Sequence, residues 1–317
     1  MVFFGQVVVG PPGCGKTTYC NGIEQFMTAL GRKCAIINLD FANDHVPYKP
    51  AVDVRDLCTL ETVMDEFKLG PNGGLVYCME YLLEHVEWLE DRIQELDCNY
   101  IVFDFPGQVE LYTHHSCVTD LLEKLTHRRG LDCRLCSVHL VDSYYCCDPA
   151  VFISAVLLVA SSMLRLGLPH VNVLSKVDLL KHYDNLPFQL SFYTEMSDLT
   201  PIARYVGAPM ARLGSVPTES EGLSHDNGHG DGQAEEVERA PTEAERRYRK
   251  MSEGICDVLT DIGIMLTLTP DHYHKPNPNP NYYRAGSLSA HECRGCWDSW
   301  QSTGRDRQSQ WVLVRGE

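Results

Sequence analysis

Eight residues near the amino end, Gly10-Pro11-Pro12-Gly13-Cys14-Gly15-Lys16-Thr17, restrict the fold more than any other stretch. They follow the apolar run Phe3 to Val9, which reads as a strand, and they open a segment of helical spacing. The pattern fits G-x-x-x-x-G-K-[ST] in the strand, loop, helix setting that gives it meaning. Gly13 and Gly15 let successive amides curl around phosphate oxygens, and the N-terminus of the following helix adds partial positive charge. Lys16 then neutralises β and γ oxygens of a nucleoside triphosphate, while Thr17 offers a hydroxyl to magnesium. Gly10, Cys14 and Thr18 complete the candidate phosphate-binding set. The bland alternative is a glycine-rich turn with a chance Lys-Thr.

Further β-branched and apolar runs recur at Cys34 to Leu39, Tyr100 to Phe103, Leu135 to Val141 and Val171 to Leu174, with helical spacing between them. Ile264 to Leu268 reads as one more strand. This alternation predicts an α/β fold of the P-loop NTPase class, a mostly parallel sheet with helices on both faces. Val76, Met79, Leu82, Leu83, Val86, Leu89 and Ile93 step by three and four, predicting one amphipathic helix over residues 75–96 with Glu80, Glu84, Glu87 and Glu90 on its other face. Just before it, Gly70-Pro71-Asn72-Gly73-Gly74 reads as a turn. The most apolar stretch, Ala150 to Leu164, carries three Ser and ends at Arg165, so a buried helix is expected rather than a membrane span.

A formal net charge of −16 disfavours direct binding of nucleic acid, which needs many cations to displace counterions. The 14 Cys are scattered through apolar segments of a 317-residue chain, which suggests a reducing compartment rather than a disulfide scaffold. The first apolar stretch leads straight into the phosphate loop, so a cleaved secretion signal is not expected.

Two further motifs narrow the chemistry. Asp104-Phe105-Pro106-Gly107-Gln108 ends the strand Tyr100 to Phe103. An Asp there sits where magnesium needs a carboxylate, and the Pro-Gly turn lets the Gly107 amide meet a γ-phosphate. Gln108 is placed to orient water, the plainer reading being a Gln exposed on a turn. Ser175-Lys176-Val177-Asp178 ends a later strand and fits N/T/S-K-x-D. Its Asp accepts from the two adjacent donors of guanine, and the Lys stem covers the ring. A buried carboxylate left unpaired by adenine rejects it by roughly 10⁴.

With GPPGCGKT, DFPGQ, SKVD and Gly70-Pro71-Asn72 in this order, the chain resembles the GPN-loop GTPases over about residues 5–199, through NLDFAN (Asn38 to Asn43), NGGLVYCMEYL and HLVDSYYCCDPAVFIS. The resemblance implies magnesium-dependent GTP hydrolysis to GDP by a dimer, either a homodimer or a heterodimer with another family member. Asn72 would point at the partner's γ-phosphate, and Asp40 would hold the attacking water or the magnesium shell. Asp104 matches the magnesium carboxylate and Gln108 the water-orienting residue. Lys16, Asp40, Asn72 and Gln108 form the implied catalytic set, and Thr17, Asp40 and Asp104 the implied metal set. RNA polymerase II subunits or assembly chaperones are the implied partners, with a cytoplasmic protein that shuttles to the nucleus and no membrane role.

No Arg stands near these motifs in sequence, so slow turnover is expected. Phe41 replaces the family's Pro, which removes a restraint on the first switch, and Ser175 replaces the commoner Asn, at the expected loss of a brace to the phosphate loop. The expected organisation is a GTPase domain over 1–205, a disordered acidic, Gly-rich insertion over 206–241, a return of the domain over 242–270, and an irregular, poorly ordered tail over 271–317. Two rival readings are a nucleotide-loaded scaffold with negligible hydrolysis and an AAA-like ATPase, in which GPPGCGKT also occurs.

Some signals carry less. His291, Cys293 and Cys296, and separately Cys133 and Cys136, have metal-like spacing without a second pair of ligands. Cys14 beside Lys16 suggests a lowered pKa and an oxidisable thiol, though a small residue filling the loop explains it more simply. Arg246, Arg247, Arg249 and Lys250 read as a solvated helix face.

Overall fold

The computed structural model describes residues 2–127, 131–183, 186–196, 198–203, 205–206, 243–262, 264 and 266–268. The expected insertion, except for Val206, the tail and the His291/Cys293/Cys296 group lie outside the described residues.

Seven strands form one parallel sheet: β1 (Phe3–Val9), β2 (Ala35–Asn38), β3 (Val52–Asp53), β4 (Tyr100–Asp104), β5 (Cys133–Asp142), β6 (His170–Ser175) and β7 (Leu266–Leu268). Their order across the sheet is β3-β2-β4-β1-β5-β6-β7. All six neighbouring pairs are parallel. Covered on both faces, such strands become continuous apolar runs, and this is why six of the seven can be read from sequence. The exception is β3, only two residues long and set among Pro and charged residues.

The helices are α1 (Lys16–Ala29), α2 (Leu60–Phe67), α3 (Pro71–Glu84), α4 (Val86–Gln94), α5 (Glu110–Thr113), α6 (Cys117–Thr126), α7 (Pro149–Leu166), α8 (Leu190–Glu195), α9 (Thr200–Ala203) and α10 (Glu243–Ile262). One core cluster packs Val7, Phe103 and Phe105 against Met79, Leu82 and Leu121, a second packs Phe152 and Val156 against Leu174 and Tyr193, and a third lies between α1 and the opposite sheet face. The chain leaves central β1 through α1 to one side of the sheet, and later returns from β4 to the other side at β5. This reversal is a topological switch point, where parallel α/β sheets bind ligands at the carboxyl ends of their strands.

Two local expectations need correction. The segment 75–96 is not one helix, because α3 ends at His85, whose φ is −107° and whose ring Nδ1 lies 2.9 Å from the Tyr81 carbonyl oxygen. A new helix then starts at Val86, while the three-and-four apolar spacing runs on unbroken. Nor is Pro71 to Gly74 a turn between helices. The reversal is made by Lys68 (φ 55°), and Pro71 occupies the first position of α3, where its missing N–H costs nothing.

Helix α7 begins where Asp148 accepts from the Ala150 and Val151 amides and stops at left-handed Gly167. Among the described residues it alone is long and apolar enough to cross a membrane, yet half of it is buried inside the fold, as a core helix requires. The basic residues Arg246, Arg247, Arg249 and Lys250 lie exposed along α10, as expected of a solvated face.

Phe103 is fully buried in the largest cluster. Phe103→Ala is expected to cost about 3–5 kcal/mol in urea unfolding, whereas Val258→Ala, at a position 57% exposed, stays within about 0.5 kcal/mol.

Candidate active site

The phosphate loop joins β1 to α1 at the centre of the sheet's carboxyl edge. Gly10, Gly13 and Gly15 have φ of 142°, 76° and 95°, a conformation that side-chain-bearing residues rarely adopt. At Gly10 space is short as well, since a Cβ would lie 2.5 Å from the Leu140 oxygen and 2.9 Å from Cys14 Sγ. Lys16 is 7% exposed, and its ammonium donates to the Gly10 and Pro11 carbonyls, each at 3.1 Å. The loop thus curls around its own cation. Thr17 is half-buried and Thr18 exposed.

Cys14 does not have the reactive thiol that its position suggests. Burial raises its pKa, outweighing the opposing pull of Lys16. It fills the loop beneath Gly10. Its carbonyl accepts a 2.7 Å hydrogen bond from Ser175 Oγ, across 161 residues of chain. The brace that Ser175 was expected to lose is therefore present, supplied by a hydroxyl.

On the other flank, Val8 pairs with Asp104, and the Phe105 amide donates to the Val8 carbonyl at 3.3 Å. The turn that follows lies hard against the phosphate loop: a Cβ on Gly107 would sit 2.8 Å from both Lys16 Nζ and Pro12 Cα. Only glycine fits. Buried Tyr112 donates its hydroxyl to the Pro106 carbonyl, which anchors the same turn from below.

Asp104 is 1% exposed. Its Oδ2 accepts from the Tyr48 hydroxyl at 2.7 Å, and its Oδ1 is buried with no hydrogen-bond partner. Thr17 is near enough to favour the ionised carboxylate without forming a well-aligned bond, and burial still raises the pKa. Asp40 is half-buried, accepts from the Ala42 amide at 2.9 Å, and is also raised by burial, against the pull of Lys16 and Arg55. An orphaned buried carboxylate oxygen beside a threonine hydroxyl fits magnesium, which takes hard oxygen ligands and is commonly held by one or two carboxylates plus phosphates. Among the described residues no three His, Cys, Asp or Glu side chains form a self-sufficient metal cluster, and Cys133 and Cys136 are buried strand residues.

Several contributors were not legible in the sequence. Asn43 donates to Thr17 Oγ1 at 3.2 Å, and Tyr48 reaches Asp104 from the same loop. Arg55 corrects the reading that no Arg stands nearby: it pairs with Asp53 at 2.6 Å and donates to the Asn43 and Asp44 carbonyls at 3.0 and 3.2 Å. Phe41 is 2% exposed in the main core, so burial anchors the segment from which a restraint was expected to be missing.

Gln108 is half-buried, not exposed on its turn, and its Oε1 is a buried acceptor with no partner. It lines a groove of about 420 Å³ together with Asn72, Gly73, Tyr77 and His115. The residue expected to orient water and the one expected to reach a partner's γ-phosphate thus open onto one groove. Pro71 has no N–H and Gly70 gives no side-chain cap, so the start of α3 presents exposed Asn72 with first-turn amides free of side-chain capping. At the far end of the site, Lys176 is left-handed (φ 58°) and pairs with Asp142 at 2.6 Å, while Ser143 Oγ holds the Lys176 carbonyl at 2.8 Å. Asp178 is exposed rather than buried as expected, one residue into a 3₁₀ turn.

Because the Asp40 and Asp104 pKa values are raised, the folded state retains protons that the unfolded chain has lost above about pH 4. Stability of the metal-free protein therefore falls as pH rises from there through the folded-state pKa values. Asp104→Asn is expected to melt higher than wild type in EDTA at pH 7.5, by about 2–4 °C per kcal/mol recovered, with a shallower decline on raising the pH. Thermal melts from pH 4 to 8 test this.

A family model described as a conserved hypothetical ATP binding protein matches residues 8–277. GPN-loop GTPase QQT1 of Arabidopsis thaliana is 45% identical over 269 residues, covering 84% of this chain and 78% of that one. GPN-loop GTPase 2 of Danio rerio is 54% identical over 206 residues, 65% of each chain, and GPN-loop GTPase 2 of Saccharomyces cerevisiae is 48% identical over 206 residues, 64% of this chain and 59% of that one. The chain thus spans less than two thirds of the length of the last two relatives. A GTPase from Pyrococcus abyssi, solved in apo form, shares the fold with a TM-score of 0.58 at 23% identity, covering 84% of this chain and 90% of that one. Identity sustained over 269 residues reaches far beyond the phosphate loop and its two neighbouring strands, and the chain belongs to the GPN-loop GTPase family.

Proposed function

We propose that this protein binds GTP with magnesium and hydrolyses it slowly, working as a dimeric switch. The observation that carries the reading is the packing of Gly107 against Lys16 and Pro12, with room only for hydrogen. Any ligand that draws the Lys16 ammonium from the Gly10 and Pro11 carbonyls changes what Gly107 rests on. A turn built this way responds to the presence of a terminal phosphate.

The residues divide the work as follows. Amides of Gly13 to Thr17 grip the phosphates, and Lys16 exchanges loop carbonyls for phosphate oxygens. Thr17 and Asp104 would hold magnesium, which when bound neutralises charge on the β and γ oxygens. Asp40 and Gln108 orient the attacking water in line with the leaving group. Asp178 accepts from the ring N–H and exocyclic amine of guanine, and Lys176 flanks the ring. Although the matching family model is described as ATP binding, adenine offers no such donor pair. The AAA-like reading also needs an Asp-Glu pair where this chain has Asp104-Phe105.

Slow turnover is supported by the commitment of Arg55 to Asp53 and two loop carbonyls, which leaves its guanidinium engaged elsewhere. Dimerisation is supported by the exposed start of α3, where Asn72 and uncapped amides suit a phosphate presented by another chain. Action with RNA polymerase II subunits or assembly chaperones, in the cytoplasm with shuttling to the nucleus, rests on the family resemblance alone.

Isothermal titration in magnesium should give GTP and GDP affinities at least about 10³-fold above ATP. Asp178→Asn should shift preference from GTP to xanthosine triphosphate, whose ring presents an oxygen where guanine has the amine. Equal ATP and GTP affinities overturn the guanine assignment. Gln108→Ala should lower single-turnover phosphate release by about 10²-fold; wild-type release no faster than this variant leaves a nucleotide-loaded scaffold instead. Light scattering with a non-hydrolysable GTP analogue should report a dimer.

A further inference from the structure

Residues 41–51 cross the candidate magnesium side of the site and touch two of its candidate ligands, Thr17 and Asp104. Asn43 donates to Thr17 Oγ1, and Tyr48 donates to Asp104 Oδ2 at 2.7 Å. Tyr48 is not a surface residue that happens to reach inward. It is 6% exposed, and its ring belongs to the same core cluster as Cys20, Ile36 and Val102. Arg55 ties the start of the loop that carries it, through the Asn43 and Asp44 carbonyls, to Asp53 beyond its end. The phenol therefore occupies an acceptor site of Oδ2, and Oδ1, which accepts no hydrogen bond, is the oxygen open to a cation.

This asymmetry has chemical consequences. Magnesium demands near-octahedral ligands at short range and takes single carboxylate oxygens, whereas calcium accepts six to eight ligands, including bidentate carboxylates. We infer that Tyr48 is a positioning residue that restricts Asp104 to one-oxygen contact with a divalent cation and thereby favours magnesium over calcium. The inference rests on Asp104 being the metal carboxylate of the proposed GTPase.

The test is competition of magnesium and calcium against Mn²⁺, followed by electron paramagnetic resonance, on the full chain loaded with GDP. Tyr48→Phe keeps the buried ring and removes only the donor. Magnesium affinity should fall about 10–100-fold, and calcium affinity by no more than about threefold because bidentate contact becomes available. In an Asp104→Asn background the Tyr48→Phe effect should vanish, since it acts through that carboxylate. Equal losses for both ions, or an unchanged magnesium affinity, overturn the role of Tyr48. If Asp104→Asn alone leaves Mn²⁺ binding intact, the metal assignment beneath it fails first, and the two failures are told apart by that single variant.

Discussion

A buried ammonium at the carboxyl edge of a parallel sheet is the constraint around which this protein is arranged. Lys16 sits where solvent cannot hydrate it, and the carbonyls of Gly10 and Pro11 supply what water does not. To bring those carbonyls inward, the loop must take three left-handed glycines, and Gly10 must lie against Leu140. A strand pair on either side is then needed to hold so strained a path. β4 and β5 provide it, in register with Val8 and Val9.

The loop is braced from three directions by segments far apart in sequence. Ser175 binds its outer carbonyl, Gly107 presses on its cation, and Asn43 reaches the threonine that follows. Each brace also lies close in sequence to a candidate site residue: Asp178 beyond Ser175, Gln108 beside Gly107, and Asp40 ahead of Asn43. Such an arrangement ties these segments to the phosphate loop through short, directional contacts. Two carboxylates are kept in surroundings that raise their pKa values, a cost in the isolated fold that a cation would offset.

Much of the architecture was legible because its signals are local. Parallel strands buried on both faces read as apolar runs, and the phosphate loop announces itself by glycine spacing. Where signals are weak or continuous, reading fails. β3 has two residues, too few for any period. The break at His85 falls inside an unbroken three-and-four pattern, since side-chain spacing says nothing about a backbone carbonyl shared with a ring nitrogen. Pro71 held the one overlooked local cue, because proline in a first helical turn is favoured, and it marks the true start of α3.

The sequence by itself determined the class of fold, the phosphate loop, and which motifs flank it, since glycine freedom, strand burial and ligand chemistry are properties of residue type and spacing. Only the tertiary structure decided that Tyr48 clamps Asp104 across 56 residues, that Ser175 reaches Cys14 across 161, that Arg55 is spent on its own loop, and that Gln108 shares a groove with Asn72. The reason is physical: directional hydrogen bonds of 2.7–3.2 Å depend on where the packed sheet places two atoms, and no separation along the chain encodes that.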